Sequence, residues 1–210
     1  MTVVVHRASS MAIALLTVLV FHTGAVAQHY QEDFRAKLVA AAMERTKHLI
    51  TYDGSYRKIT YPGGDVPDDR GVCTDLIIRA YRAVGVDLQK EVHKDMSAFF
   101  SAYPRQWGLT RPDTNIDHRR VPNLYTFFKR KGMELTVTDN PDDYQAGDIV
   151  CWMLSFNRPH IGMVIDQRSQ DGKRPLIVHN IGLGPMIEDT LFEYKIYGHF
   201  RYPREGEGDN

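Results

Sequence analysis

Residues 71–85 read GVCTDLIIRAYRAVG, and this stretch decides how the rest of the chain is interpreted. Its apolar residues recur at helical spacing and Gly85 stands where such a helix would end, so the pattern predicts a helix over Thr74 to Val84. Cys73 directly precedes this helix and projects from its first turn. A thiol at a helix N-terminus lies in a positive backbone field, which favours the ionised form. The sequence therefore predicts a nucleophilic cysteine at this junction.

Helices come first in the chain and strands come later. Apolar residues at helical spacing also predict helices over Glu32 to Leu49, Lys94 to Tyr103 and Val121 to Lys131. After Gly132 the pattern changes to five short apolar runs typical of strands: 133–138, 148–154, 160–166, 175–179 and 196–202. We therefore predict a single α+β domain with N-terminal helices packed on a five- to six-stranded antiparallel sheet.

The N-terminal 27 residues are predicted to be a secretory signal peptide. Arg7 precedes an apolar stretch, and Ala25-Val26-Ala27 matches the small-residue cleavage pattern. The mature chain would begin at Gln28, with the folded domain over 28–203 and a disordered polar tail over 204–210. An uncleaved anchor is the alternative, because 8–27 is about long enough to span a bilayer. We expect a periplasmic or secreted protein.

Length and charge exclude some classes of partner. Without its first 27 residues the chain has 183 residues, the size of one domain with its own core. That part carries 25 basic and 26 acidic side chains, so its net charge gives no reason to propose nucleic acid or an anionic membrane as partner. We expect a monomer with no stable membrane insertion once the signal is removed.

The chain has two cysteines, Cys73 and Cys151. In an oxidising compartment a pair of cysteines suggests a disulfide, and this alternative stays open. A domain of this size does not need one for stability. The two residues also differ in setting, since Cys73 lies between a loop and a helix whereas Cys151 lies inside a strand-like run.

Two histidines, His160 and His179, each lie in a strand-like run far downstream of Cys73. An imidazole that the fold brings to a thiolate completes a nucleophile and base pair, as in a cysteine hydrolase or an acyl-transfer enzyme. Either histidine alone would more often be a structural residue with satisfied hydrogen bonds. The three residues together favour catalysis.

Several segments resemble the motifs of NlpC-type papain-like cell-wall hydrolases, in the same order along the chain. They are Tyr61 with Gly63-Gly64, Val72-Cys73-Thr74-Asp75-Leu76, Gly147-Asp148-Ile149-Val150, His160-Ile161-Gly162-Met163-Val164-Ile165 and Ile177-Val178-His179. A closer resemblance, over nearly all of the mature chain, is to the exported bacterial family known as domain of unknown function 1287. It is carried by Asp68 to Asp75, Asn115 to Leu124, His160-Ile161-Gly162 and Val178 to Gly182.

The resemblance to the NlpC-type enzymes implies a papain-like fold and an assignment of roles. Cys73 would be the nucleophile, His160 the general base and acid, and His179 the group that orients the His160 ring, with Asn180 as the rival for that last role. The implied reaction is hydrolysis of an amide bond in the peptide stems of bacterial peptidoglycan, through an acyl-enzyme on Cys73 and without a cofactor. The alternatives are an acyltransferase on the same fold, or an inactive wall-binding module with a Cys73–Cys151 disulfide.

The chain departs from the NlpC-type pattern directly beside the nucleophile. The residue before Cys73 is Val72 rather than Asp, and Thr74-Asp75 replaces Ser-Gly. Asp75 is therefore expected either to bind a cationic group of the substrate or to cap the helix. Tyr61 is expected at the site as part of the Tyr and Gly-Gly loop.

Residues 117–119 form a second polar segment. Asp117, His118 and Arg119 are expected to line the cleft or to cap the helix that begins at Val121, and Arg119 with its basic neighbour would hold a carboxylate of the stem peptide. A solvated surface is the alternative for these charges. The run Asp113, Asn115 and Asp117 mimics the opening of a calcium loop. His118 and Leu124 stand where that loop requires Gly and Glu, so no metal site is predicted.

Overall fold

The computed structural model describes residues 29–202. The predicted signal peptide over 1–27 and the predicted tail over 204–210 lie outside the described residues. No helix in the described part of the chain is both long enough and apolar enough to cross a bilayer.

Four α-helices precede the main sheet: α1 (residues 29–44), α2 (Cys73–Ala83), α3 (Leu88–Phe99) and α4 (Val121–Arg130). All four predicted helices are present, and α2 begins at Cys73 itself. Helix α3 begins six residues before its predicted start, because the Asp87 side chain accepts a hydrogen bond from the Gln89 N–H at 3.1 Å and caps the helix there. Pro122 occupies the first turn of α4, where its missing N–H costs no hydrogen bond.

A small parallel pair of strands, which the sequence did not predict, lies between α1 and α2. Strand β1 (Thr51–Tyr52) pairs with β2 (Arg70–Gly71), so Tyr52 lies opposite Gly71. Since β2 ends two residues before Cys73, this pairing brings β1 to the N-terminus of α2.

The main sheet has five antiparallel strands: β3 (Ile149–Leu154), β4 (Arg158–Arg168), β5 (Pro175–Asn180), β6 (Pro185–Glu188) and β7 (Lys195–Phe200). Their order across the sheet is β6-β5-β4-β3-β7. The α+β class and the five-stranded antiparallel sheet are as predicted from the sequence. A turn through Gly172, which has a positive φ of 72°, joins β4 to β5 as expected.

One predicted strand is wrong and another was missed. Residues 133–138 do not form a strand and join the sheet only through an isolated bridge between Glu134 and Phe200. The fifth strand is β6, which pairs along β5 from Asn180–Pro185 to Ile177–Glu188. Its four residues begin with proline and follow a glycine-rich turn, so its strand character comes from pairing with β5 rather than from its own sequence pattern.

The alternation of side chains along the strands divides the core into two parts. On one face of the sheet, Ile161, Met163 and Val178 pack against the buried residues of α1, α2 and α4. On the other face, Val164 and Ile177 pack with Trp152 and a smaller set of apolar residues. Helix α2 therefore lies against the first face, and the turns β3–β4 and β5–β6 lie together at one end of the sheet.

Candidate active site

Cys73 opens α2 and lies almost completely buried, with 4% of its surface exposed. Burial raises the pKa of its thiol to about 11, although the backbone N–H groups of Ile161 and Thr74 and the hydroxyl of Tyr52 act to lower it. The expected thiolate is therefore corrected: in this structure desolvation outweighs the field of the helix N-terminus, and the thiol is neutral.

Tyr52 is a site residue that the sequence analysis missed. Its hydroxyl lies near enough to the start of α2 to lower the pKa of the Cys73 thiol, while partial burial and the neighbouring thiol raise the pKa of the phenol. Only its position next to β2 brings it there, and no local pattern marks it. The predicted tyrosine, Tyr61, instead packs the edge of its ring against His93, with ring centroids 4.9 Å apart.

His160 and His179 lie side by side, as predicted. Nε2 of His160 is 2.9 Å from Nδ1 of His179, and the two rings are nearly perpendicular at 77°. Burial lowers the pKa of His160 to about 3, assisted by His179, so the imidazole is neutral. Asn180 points elsewhere, since its Oδ1 accepts the Gly182 N–H at 3.2 Å. The structure therefore places His179, and not Asn180, against His160.

The close approach of the two histidines requires a glycine in β4, at the position that faces His179 on β5. Gly162 lies opposite His179 in the ladder between β4 and β5. A Cβ atom at this position would come within 3.0 Å of the His179 Cβ and 3.1 Å of the Trp152 ring. The glycine two residues after His160 is thus explained by packing.

Glu188 is a second residue that the sequence analysis missed. Its Oε2 lies 2.8 Å from Nε2 of His179, within ion-pair range but without hydrogen-bond geometry. Burial lowers the pKa of His179, and the Glu188 carboxylate opposes this shift. A line of polar groups therefore runs from His160 through His179 to Glu188 on β6, and Glu188 is 41% exposed at its end.

The strand that carries His160 also contacts the nucleophile. The backbone N–H of Ile161, the next residue, faces the Cys73 sulfur and lowers its pKa. Within residues 29–202 no hydrogen bond joins that sulfur to a ring nitrogen of either histidine. Nδ1 of His160 likewise has no hydrogen-bond partner among these residues, so it is the ring nitrogen open to a further group.

A groove of about 340 Å³ opens beside this region, between the start of α4 and the β3–β4 end of the sheet. Pro159, Tyr197 and Met153 are among its lining residues. Pro159 directly precedes His160, and Tyr197 is close enough to Cys73 for their charges to interact. None of Cys73, His160 and His179 is among the residues that line it.

Asp75 caps α2 and forms a buried ion pair. One of its carboxylate oxygens accepts the Val72 N–H at 2.7 Å, and the two oxygens accept Nε and Nη2 of Arg119 at 2.8 and 2.9 Å. The two side chains are 3% and 2% exposed. Helix capping, one of the two expected roles of Asp75, is what the structure shows. Arg119 is neither at a solvated surface nor free to bind a substrate carboxylate.

Asp117 and His118 are buried beside Arg119. Asp117 accepts the Asp113 N–H at 2.6 Å and a guanidinium N–H of Arg120 at 3.1 Å, and burial raises its pKa. Burial lowers the pKa of His118 to about 3, and its Nδ1 has no partner among residues 29–202. Both side chains are 2% exposed, so neither lies at the surface of a cleft as expected.

Cys151 lies in the core on the face of the sheet that α2 covers. It is fully buried, burial raises its pKa, and its charge would interact with that of Cys73. Both cysteines are free thiols in this structure. Among residues 29–202 no group of three or more His, Cys, Asp or Glu side chains is arranged as metal ligands would be.

A second histidine–carboxylate pair lies outside the site and has a structural role. Asp148, from the Gly-Asp motif, accepts Nε2 of His199 at 2.8 Å and two guanidinium N–H groups of Arg201 at 2.6 and 2.8 Å. Tyr144 stacks on the His199 ring with centroids 4.2 Å apart. No cysteine contributes to this cluster, so it is not a second candidate active site. Its hydrogen bonds join β7 and the residue after it to the start of β3.

Two comparisons with known proteins show which family the chain belongs to. Residues 39–202 match the family model described as Domain of unknown function (DUF1287). The chain is also 50% identical over 172 residues to the "Uncharacterized protein YijF" of Escherichia coli (strain K12), an alignment that covers 82% of this chain and 83% of the relative. The family match includes the segments that carry Cys73, His160 and His179. The chain therefore belongs to the family described as Domain of unknown function (DUF1287).

Proposed function

We propose that this protein is an exported cysteine hydrolase with a papain-like fold that cleaves an amide bond in the peptide stems of bacterial peptidoglycan. One observation carries the proposal. A cysteine at the start of a helix is contacted by the backbone N–H of the residue next to His160, and His160 is itself hydrogen-bonded to a second histidine. These residue types can supply a nucleophile, a base and an orienting group.

The proposed reaction begins with attack of Sγ of Cys73 on the substrate carbonyl carbon. The thiol proton moves to Nδ1 of His160, because Nε2 is occupied by His179. The C–N bond then breaks, and the same proton passes from Nδ1 to the leaving amine. Water, deprotonated by His160, hydrolyses the thioester and releases the acid, so thiol and imidazole return to their neutral forms.

Tyr52 and the start of α2 are suited to stabilise the oxyanion in this reaction. The hydroxyl of Tyr52 and the backbone N–H of Cys73 meet beside the sulfur. Each can donate a hydrogen bond to the oxygen of the attacked carbonyl once the substrate is bound. We assign the peptidoglycan substrate by similarity to the NlpC-type motifs and by the predicted signal peptide.

The proposal is tested by incubating purified protein with peptidoglycan sacculi and identifying the released fragments by mass spectrometry. Cys73→Ala is expected to abolish release, whereas Cys151→Ala, which removes the other buried thiol, is expected to retain most of it. Thermal unfolding of both variants checks that each is folded. Equal release by the Cys73→Ala variant would remove the nucleophile assignment.

Burial of the site favours a second candidate, acyl transfer. Cys73 and His160 are 4% and 3% exposed, and a site that excludes water protects an acyl-enzyme from hydrolysis. An amine acceptor would then capture the acyl group. Adding amines to the sacculus assay and searching for amide adducts by mass spectrometry separates transfer from hydrolysis.

A further inference from the structure

The ion pair between Asp75 and Arg119 lies where the chain departs from the NlpC-type motif. Asp75 is fixed to α2 by its position and by the Val72 N–H, 2.7 Å from its carboxylate. Arg119 reaches it from a segment 44 residues away, with two N–H groups at 2.8 and 2.9 Å. The hydroxyl of Thr74 donates to the Arg119 carbonyl at 2.9 Å, so both residues after the nucleophile are tied to Arg119.

The same guanidinium also holds the segment that follows Tyr52. Nη2 donates to the carbonyl of Asp53 and Nη1 to the carbonyl of Ser55, each at 3.2 Å. Arg119 thus connects the first turn of α2, which carries Cys73, with the backbone directly after the tyrosine that faces the sulfur. The planar guanidinium, with five donors in a fixed geometry, can make all these bonds at once.

Strand β1 has few other buried anchors. It is two residues long, and the backbone bonds that flank its pairing with β2 are Thr51 N–H to Asp69 O at 2.8 Å and Asp53 N–H to Gly71 O at 3.3 Å. The Asp53 carboxylate pairs with Arg57 and Arg70, whose side chains are 38% and 31% exposed. So short a pair of strands is not stable by itself.

We propose that the Asp75–Arg119 pair is a positioning device that holds the Tyr52 hydroxyl against the Cys73 sulfur. The inference rests on the proposed function only in that it treats Cys73 as the reactive group. Arg119 touches neither the sulfur nor the substrate in this scheme and acts through Tyr52. Arg119→Lys separates this role from charge, since lysine keeps a cation beside Asp75 but cannot reach two carbonyls and a carboxylate together.

The test measures alkylation of Cys73 by iodoacetamide between pH 8 and 10, quantified by peptide mass spectrometry. Loss of the Tyr52 hydroxyl beside the sulfur raises the thiol pKa, and a rise of about one unit lowers the rate about tenfold in this range. We expect Tyr52→Phe and Arg119→Lys each to lower the rate by about this factor. We expect the double variant to react no more slowly than Tyr52→Phe alone, because both changes remove one contact.

Arg201→Lys is the matched control. Arg201 also donates two N–H groups to a fully buried aspartate, Asp148, but contacts neither α2 nor β1 through its side chain. We expect its Cys73 alkylation rate to equal that of the wild type. A wild-type rate for Arg119→Lys, or effects of Tyr52→Phe and Arg119→Lys that multiply in the double variant, would overturn the proposal.

Hydrogen–deuterium exchange separates local loosening from general unfolding. In Arg119→Lys we expect faster exchange over residues 51–57 and unchanged exchange in β4. Faster exchange in both regions, with alkylation of Cys151, would make the pair a general structural ion pair and would also overturn the proposal. None of these measurements uses a cell-wall substrate, so they remain decisive even if sacculi are not cleaved.

Discussion

The Asp148 cluster offers the most direct test of what holds the sheet together. The Asp148 side chain is fully buried and accepts four hydrogen bonds: one from His199, two from Arg201 and one from the Gln145 N–H at 2.9 Å. Asp148→Asn replaces one acceptor oxygen by an amide that donates. The substitution leaves buried N–H donors of the neighbouring residues facing the new amide N–H, and it removes the negative charge that pairs with Arg201.

The expected loss is about 3–5 kcal/mol, the range for breaking a buried ion pair by removing one partner. For a domain of this length that corresponds to a fall in Tm of roughly 6–20 °C. The control is Asp142→Asn, because Asp142 pairs with Arg168 at 3.3 Å on the surface, where the side chains are 74% and 47% exposed. An exposed pair of this kind contributes about 0–1 kcal/mol.

Urea unfolding at pH 7, followed by circular dichroism, measures both free energies of unfolding. If Asp148→Asn destabilises the protein by no more than about 1 kcal/mol beyond Asp142→Asn, the cluster does not hold β7 to β3 as argued. Acid titration gives a second readout. Hydrogen bonds from His199 and Arg201 hold the pKa of Asp148 below its usual value despite burial. Its contribution is therefore present above about pH 4 and is lost as the pH falls through the folded-state pKa.

Three further predictions concern a buried histidine, the orienting histidine and a helix cap. Burial lowers the pKa of His118 to about 3, so on acidification the unfolded chain takes up this proton at a higher pH than the folded chain does. The free energy of unfolding therefore falls as the pH drops below about 6.5. His118→Asn should make that fall shallower in urea titrations at pH 7 and 5. His179→Ala should lower kcat on sacculi about 100-fold with little change in KM, and His179→Asn less. Asp87→Ala should lose about 1 kcal/mol of unfolding free energy.

Helix α2 could be predicted from sequence because its signals are local. The apolar stripe of residues 76–84 faces the core and Gly85, with a positive φ of 89°, ends the helix. Strand β6 could not be predicted, because four residues that begin with proline become a strand only by pairing with β5. The run over 133–138 is the opposite case: its composition suits a strand, but in the structure it forms only one isolated bridge to the sheet.

The residues of the candidate site also fall into those that the sequence pointed to and those that it did not. Cys73, His160 and His179 were proposed because their residue types and order carry a chemical meaning, and of these the structure hydrogen-bonds only the two histidines to each other. Tyr52 and Glu188 were missed because only tertiary pairing, β1 with β2 and β5 with β6, brings them to the site.

Arg119 was expected to face a cleft or solvent, as most arginines do, whereas a partner 44 residues away allows it to be buried. No local pattern in either segment marks that pairing.

The ionisation of Cys73 was wrong for a related reason, and the error has a measurable consequence. A helix N-terminus is visible in sequence, but the desolvation that raises this thiol pKa to about 11 is a property of the packed core. At pH 7 a thiol of pKa about 11 is ionised in roughly one molecule in ten thousand. His160, with its pKa lowered to about 3, is neutral as well. We therefore expect a neutral thiol and a neutral imidazole before the substrate binds, with the proton leaving sulfur as the C–S bond forms.

We accordingly expect free Cys73 to react with iodoacetamide at pH 7 about two orders of magnitude more slowly than a simple thiol of pKa about 8.5. A peptide-like electrophile that binds beside His160 should label it faster than iodoacetamide does, because binding brings the carbonyl to the sulfur and offers the proton a path to Nδ1. Mass spectrometry of the Cys73 peptide measures both rates, with the Cys151 peptide as an internal reference for opening of the core. Labelling by iodoacetamide as fast as that of a simple thiol would mean that a thiolate forms without substrate, and that burial does not govern this sulfur.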